Sequence, residues 1–412
     1  MVMLAIVYMF NFIDRQILAI LLPAIGAEFK VADSVLGLLA GTAFTIFYAT
    51  LGIPIARLAD RFSRRNLIAV ALAVWSGMTA LCGVAGNIVQ LALARIGVGI
   101  GEAGCSPPAH SMIADYYPPA RRATAMGFYT LGISAGIMLA NIAGGWISQN
   151  IGWREAFFIV GAPGLLLAIL FRMTVREPPR GLSEERDDSG RHPPLREVLR
   201  FLKERRSFLH LSVAAGLTSL TGYSVITWFP SFMVRSFDMD IASVGLWLGL
   251  ILGFVGGLGF FFGGFLSDYF GRKSQKFAMR FIAASVLLTA LFNAAVFLAP
   301  TPSWCLALYL VPAAISNFYL APVLAQVQSL VSLRMRATAS ALMLFVINII
   351  GFGVGPPLTG WLSDVLAASF GDESMRYSLL AVCTTMLVWA AWHYHAGAKF
   401  VEMDLARARD AD

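Results

Sequence analysis

The chain has 412 residues, of which 58% are hydrophobic and only 13% charged, with a formal net charge of +7. So apolar a balance excludes an ordinary soluble protein, and apolar runs of about 20 residues, enough to cross a bilayer as a helix, recur along the whole length. The positive charge sits between the apolar runs, so it reports membrane orientation and no nucleic-acid partner is expected.

Taken in order, apolar runs against polar breaks predict twelve spans near 2 to 25, 34 to 56, 66 to 86, 88 to 115, 122 to 149, 154 to 175, 208 to 233, 243 to 267, 276 to 299, 303 to 332, 337 to 364 and 375 to 397. The first run has no basic leader region and is interrupted by Asp14 and Arg15, so it is read as a spanning helix and not as a signal peptide. With both termini cytoplasmic, the inside loops and tail hold 24 of the 31 Lys and Arg, while the outside loops hold only Lys30, Arg154, Arg235 and Arg376. The four cysteines, Cys82, Cys105, Cys305 and Cys383, fall singly in separate spans and read as core residues without metal or disulfide spacing.

The two halves repeat. Asp60-Arg61-Phe62-Ser63-Arg64-Arg65 after the second span returns as Asp268-Tyr269-Phe270-Gly271-Arg272-Lys273 after the eighth. Arg122-Ala123-Thr124-Ala125 opening the fifth span returns as Arg336-Ala337-Thr338-Ala339 opening the eleventh. The expected organisation is a six-helix bundle over 1–175, a cytoplasmic linker over 176–207, a second six-helix bundle over 208–398 and a cytoplasmic tail over 399–412. Two bundles in the same orientation leave a cleft at their interface. Within the linker, Leu195, Val198, Leu199 and Leu202 fall at i, i+3, i+4, i+7 among arginines. That pattern suits a helix lying on the anionic leaflet, and equally a linker helix packed on its own bundle.

The sharpest chemical signal is four charges inside spans. Arg95 and Glu102 are seven residues apart, so they leave one helix face about 10 Å apart along the axis, and Asp14 and Arg15 sit at similar depth in the first span. A charge at mid-membrane costs roughly 3 kcal/mol on insertion scales, so these residues need partners or water. Asn11, one turn earlier, can bond to either neighbour. Gly99-Ile100-Gly101-Glu102-Ala103-Gly104 formally fits a dinucleotide fingerprint, but no strand precedes it, and its glycines are read as close helix packing, as are Gly132, Gly136, Gly249, Gly253 and Gly257. Asp60, Arg61, Arg64, Arg65, Asp268, Arg272, Lys273, Arg122 and Arg336 form a candidate cytoplasmic gate, in which acids meet helix N-termini or arginines and release during transport.

After Ser207 no charge falls in the middle of a span. The candidate substrate residues there are neutral: Thr218, Tyr223 and Thr227 on the seventh span, Asn317 and Tyr319 on the tenth, Asn348 on the eleventh. Opposite them stand Asn11, Arg15 and Arg95, and a cleft charged on one wall only suits an amphiphile. His110, His393 and His395 are read as structural, without clustered partners.

The twelve spans, the six-plus-six repeat and the duplicated Asp-x-x-x-Arg-Arg/Lys loops resemble the major facilitator superfamily. Asn11-Phe12-Ile13-Asp14-Arg15, the Gly-Glu-Ala run with Ile113-Ala114-Asp115, and Arg176-Glu177-Pro178-Pro179-Arg180-Gly181 resemble the Spinster family. The resemblance implies an all-α membrane protein, twelve transmembrane helices in two pseudo-symmetric bundles. It implies a lipid transporter of lysophospholipid or sphingoid-base type, coupled to protons through Glu102, Asp14 and Arg15. Asn-x-x-Asp-Arg and Gly-Glu-Ala also occur in organic-anion:proton symporters of the same superfamily. Departing from the superfamily loop, the first half has Ala56 where a glycine is usual, while the second keeps Gly264. No cofactor beyond the proton, no enzymatic activity and a monomer in a plasma or bacterial inner membrane are expected, with membrane lipid and an amphiphilic substrate as partners.

Overall fold

The computed structural model describes residues 1–59, 61–179, 195–259, 262, 265–266, 274–332 and 335–409. Asp60, Asp268, Arg272, Lys273, Gly264 and the linker from 180 to 194 lie outside the described residues.

Among the described residues twelve spanning helices follow one another. α1 is Val2–Phe29; α2 runs from Asp33–Gly37 through a π-turn at Leu38–Thr42 into Ala43–Ala59; α3 is Arg64–Cys82. α4 begins as Ile88–Glu102 and resumes as Ser106–Tyr116; α5 is Pro119–Asn150 and α6 Trp153–Thr174. α7 is Arg206–Phe237, and α8 is Ile241–Leu250 with a second π-turn at Ile251–Val255. α9 is Gln275–Phe297; α10 is Pro302–Ile315 then Leu320–Ser329; α11 is Arg336–Phe370 and α12 Ser374–Gly397. By length and hydropathy eleven segments qualify as spans, because Thr338–Gly397 holds both α11 and α12, parted only by Gly371–Glu373. Gly371 there has φ 53°, a left-handed turn that only a residue without Cβ adopts freely.

Several starts are written locally. Ser63, Asn87, Asp240, Ser274 and Thr301 each accept a hydrogen bond from the backbone N–H three residues on, satisfying a donor that the first helical turn leaves open. On Asp240, outside the spans, that cap holds the carboxyl below the usual carboxylate range.

The internal repeat extends to irregularities invisible in composition. The break in α4 at 103–105 has its counterpart in α10 at 316–319, and the π-turns of α2 and α8 stand 213 residues apart. These are places where the backbone ladder is locally rewound.

The described chain forms two compact units, Met1–Asp188 with Phe229–Phe254, and Ser189–Trp228 with Val255–Asp412. Thus the end of α7 and most of α8 group with the first six helices, where sequence repetition alone set the boundary in the linker. The physical reason is backbone approach: a Cβ on Gly249 would lie 2.9 Å from the Met138 carbonyl oxygen of α5, and one on Gly145 2.6 Å from that of Ile241. Small residues let these helices touch main chain to main chain. At the end of α7, Arg235 grips Asp33 at the start of α2 through two bonds of 2.6 and 2.7 Å.

In the second unit a core of Phe208, Leu211, Met279, Val323, Met343 and Tyr394 is joined by Val198 and Leu202 of the linker helix, Leu195–Lys203, and by Val401 of a tail helix, Val401–Arg409. Asp404 of the tail accepts from Ser207 N–H and Oγ at 2.9 and 2.7 Å, capping the start of α7 from a distant part of the chain.

Candidate functional site

The predicted charge cluster assembles inside the first unit. Arg15 of α1 donates from Nε and Nη2 to a single oxygen, Oε2 of Glu102 on α4, at 3.1 and 2.7 Å. Both side chains are buried, 7% and 0% exposed, so this is an ion pair out of water. Breaking such a pair by removing one partner costs about 3–5 kcal/mol, because the other charge is stranded. The Arg15 guanidinium also lies among aromatic faces, 5.1 Å from the Phe12 and Phe44 ring centres and 4.6 Å from Tyr48. A planar cation suits those quadrupoles better than an ammonium does.

Asp14 takes the other side of α1. Its neighbour in sequence, Arg15, is committed to Glu102, and the arginine that reaches toward Asp14 is Arg95, whose Nη1 donates to the Asp14 carbonyl oxygen at 3.1 Å. Thr79 and Trp75 stand near enough to the Asp14 carboxylate to act on it, yet no donor completes a hydrogen bond to either oxygen. Nε and Nη2 of Arg95, Oε1 of Glu102 and the amide nitrogen of Asn11 are likewise buried without a completed bond. Groups this deep are ordinarily satisfied, by protein or by ordered water.

The glycines of α4 make the cluster possible. A Cβ on Gly99 would meet the Phe44 carbonyl oxygen at 2.7 Å, and one on Gly101 the Trp75 backbone nitrogen at 2.6 Å. α4 therefore lies backbone-close to α2 and α3, which brings Arg95 and Glu102 to α1. Gly132 and Gly136 bring α5 equally close to α1, 2.6 Å from the Ala5 and Met9 carbonyl oxygens. Packing is what the expected glycine stripes supply.

Of the expected cytoplasmic gate, Arg64 is the centre. It is buried and donates to Ser111 at 2.9 Å, to Asp115 in a short contact, to the Pro178 carbonyl at 2.8 Å and to Glu177 at 2.9 Å. Glu177 also accepts from Ser63 Oγ and from the backbone N–H groups of Arg64 and Arg65, at 2.8, 3.2 and 2.8 Å. Burial pushes the Glu177 carboxyl up, but these bonds at the positive end of α3 outweigh it and hold it below the usual carboxylate range. Arg65 reaches the Val175 carbonyl, Arg122 donates to the Ala114 carbonyl at 2.9 Å, Arg61 is exposed and Arg336 opens α11. Neither Glu177 nor Asp115 was among the residues given a role from sequence, although both lie in the quoted motifs.

In the second unit Thr218 and Thr227 are buried, Thr218 bonding back to the Ala214 carbonyl. Tyr223 stacks on Phe352, with ring centres 4.6 Å apart. Asn317 lies in the break of α10 with Tyr319 beside it, and Asn348 bonds to the Leu344 carbonyl of its own helix. One expectation is corrected: His393 does have a partner, His210, with Nδ1 to Nδ1 at 2.9 Å. The two are 183 residues apart, a distance that no local spacing could reveal. All four cysteines are buried, and none forms a disulfide.

A family model described as Major Facilitator Superfamily matches residues 4–356. An MFS-type efflux pump of Mycolicibacterium smegmatis is 33% identical over 411 residues, 98% of this chain and 94% of its own. The hexuronate transporter of Bacillus subtilis is 28% identical over 387 residues, 92% and 90% of the two chains. The crystal structure of a bacterial homologue of the human lysosomal transporter Spinster, inward-facing and unoccupied, superposes with TM-score 0.87 at 31% identity, covering 98% of this chain and 97% of that one. Twelve helices in two repeats, a charge cluster buried in the first repeat and matches that span nearly the whole chain lead to one conclusion: the protein belongs to the major facilitator superfamily, is a transporter and not an enzyme, and is related to Spinster.

Proposed function

We propose that the protein is a proton-coupled secondary transporter of an amphiphilic lipid, of lysophospholipid or sphingoid-base type, working by alternating access with both termini in the cytoplasm of a plasma or bacterial inner membrane. The observation that carries the reading is the buried Arg15–Glu102 pair beside an Asp14 whose carboxylate lacks a completed hydrogen bond. Glu102 and Arg15 hold each other while Glu102 is ionised; when Glu102 takes up a proton, Arg15 is released to an anionic head group or to Asp14. The two carboxyls share the arginine and take up a proton as one coupled pair. Arg95, with two donors in hand, supports the pair and the anion. The neutral, buried Thr218, Thr227 and Tyr319 of the second repeat suit an acyl chain. The lipid follows from the motif resemblance to the Spinster family, to which the chain is related.

A second reading, an organic-anion:proton symporter, is favoured by the free donors of Arg95 and by the likeness to the hexuronate transporter. A thermal-shift screen of lysophospholipids against hexuronates with purified protein separates the two. The ligand so found is then offered to proteoliposomes under an imposed pH gradient. Glu102→Gln keeps the shape but cannot release a proton, so it should abolish accumulation while leaving the thermal shift largely intact. Gradient-driven accumulation at the wild-type rate by Glu102→Gln overturns the assignment and moves coupling to Asp14.

A further inference from the structure

The linker helix Leu195–Lys203 turns only part of its apolar surface into the protein. Val198 and Leu202 are buried in the second unit, while Leu195 and Leu199 are 50% and 37% exposed. At about 100° per residue the order around the axis is then Val198 and Leu202, next Leu195 and Leu199, next Lys203, Arg196 and Arg200, and last Glu197 with Glu204 just beyond the helix end. The acids are thus kept away from the exposed leucines by a stripe of three cations. All three cations are exposed, and among the described residues none is paired with a carboxylate. A helix packed only as a spacer gains nothing from a stripe of unpaired cations placed directly beside exposed leucines.

We infer that this flank is a binding surface for anionic phospholipid in the cytoplasmic leaflet. Leu195 and Leu199 enter the boundary between head groups and acyl chains, and Lys203, Arg196 and Arg200 meet the phosphates, their stems lying along the same apolar surface. Glu197 and Glu204 face the aqueous side. Packing on the bundle and contact with the leaflet, alternatives on sequence alone, use different sides of one helix. The surface belongs to the second unit, because Arg205, at the junction with α7, donates to the Arg407 carbonyl of the tail helix, and Asp404 caps Ser207. The inference is independent of which substrate the protein carries.

The test uses the full chain. Leu199→Cys is labelled with an environment-sensitive NBD group, selectively, since the four native cysteines are buried, and the protein is placed in nanodiscs of phosphatidylcholine alone or mixed with phosphatidylglycerol. Emission should shift to the blue in the mixed discs, and the shift should shrink as salt is raised. Combined Arg196→Gln, Arg200→Gln and Lys203→Gln should remove it; the lipid dependence weakens about fivefold for each charge lost. Glu197→Gln with Glu204→Gln should leave it in place. Equal emission in the two lipid compositions, as expected if the face is bare or docks another protein, overturns the inference. So does a blue shift that survives loss of the three cations in a variant with wild-type elution and helicity.

Discussion

Replacing Glu177 by Gln tests the Arg64 network at its most heavily bonded carboxylate. Four donors converge on Glu177: Ser63 Oγ, Arg64 Nε and two backbone N–H groups at the start of α3. Gln keeps the volume and one acceptor but turns an NH2 toward those donors and removes the negative charge from the helix N-terminus. Loss of a helix cap costs about 1 kcal/mol and loss of an anion at the dipole up to about 1 more, so roughly 2 kcal/mol is expected for this partly exposed group. Arg64 keeps Asp115, Ser111 and the Pro178 carbonyl, so the fold should survive. The folded Glu177 holds its proton less tightly than an ordinary glutamate, whose pKa is about 4.3. Its contribution is therefore complete above that value and is lost as pH falls through the folded one. Scanning fluorimetry in detergent should place Glu177→Gln roughly 2 °C below wild type at pH 7. The gap should narrow as pH falls below the ordinary glutamate range and close once the wild-type carboxyl is protonated too. No gap at pH 7, or one as wide in acid as at neutrality, would refute the network as the source of stability.

Two further outcomes follow from the ion pairs. Arg15→Lys keeps the charge but cannot reach Glu102 with two donors or lie flat among Phe12, Phe44 and Tyr48, so transport of the ligand found by thermal shift should fall at least tenfold, and Arg15→Ala should abolish it; wild-type transport by Arg15→Ala would refute the role. Asp33→Asn leaves half-buried Arg235 without its bidentate partner and should lower stability by about 1–2 kcal/mol, read by the same fluorimetry, whereas Asp33→Glu should recover part of it.

Composition was enough for the spans and the cluster, for a physical reason: in hydrocarbon a charge is so costly that Asp14, Arg15, Arg95 and Glu102 stand out against any apolar background. The pairing of Arg15 with Glu102 across the first and fourth spans was legible from their shared depth. Adjacent Asp14 and Arg15 leave α1 about 100° apart, and only the packing of α4 decides that Arg95 takes the Asp14 carbonyl. Phe44 and Tyr48, ordinary members of an apolar run, gained a role only by facing a cation. The same holds for Glu177 and Asp404, polar residues among many, whose partners at Ser63 and Ser207 lie 114 and 197 residues away. The His210–His393 contact joins residues 183 apart, which only the packing of α7 on α12 brings together.

The π-turn at Leu38–Thr42 has a consequence for how the chain tolerates changes of length. A π-turn accommodates one residue more than an α-turn would, and the helix on either side keeps its phase. Deleting a residue within it relaxes the wide turn to an ordinary one and leaves Phe44 and Tyr48 aimed at Arg15. Deletion just after it, within Ala43–Ala59, rotates everything downstream by about 100° and draws the C-terminal end of α2 inward by about 1.5 Å. With a second π-turn in α8, the two repeats each hold one site where an indel is absorbed locally, so relatives that differ by a single residue there can share all the remaining side-chain positions.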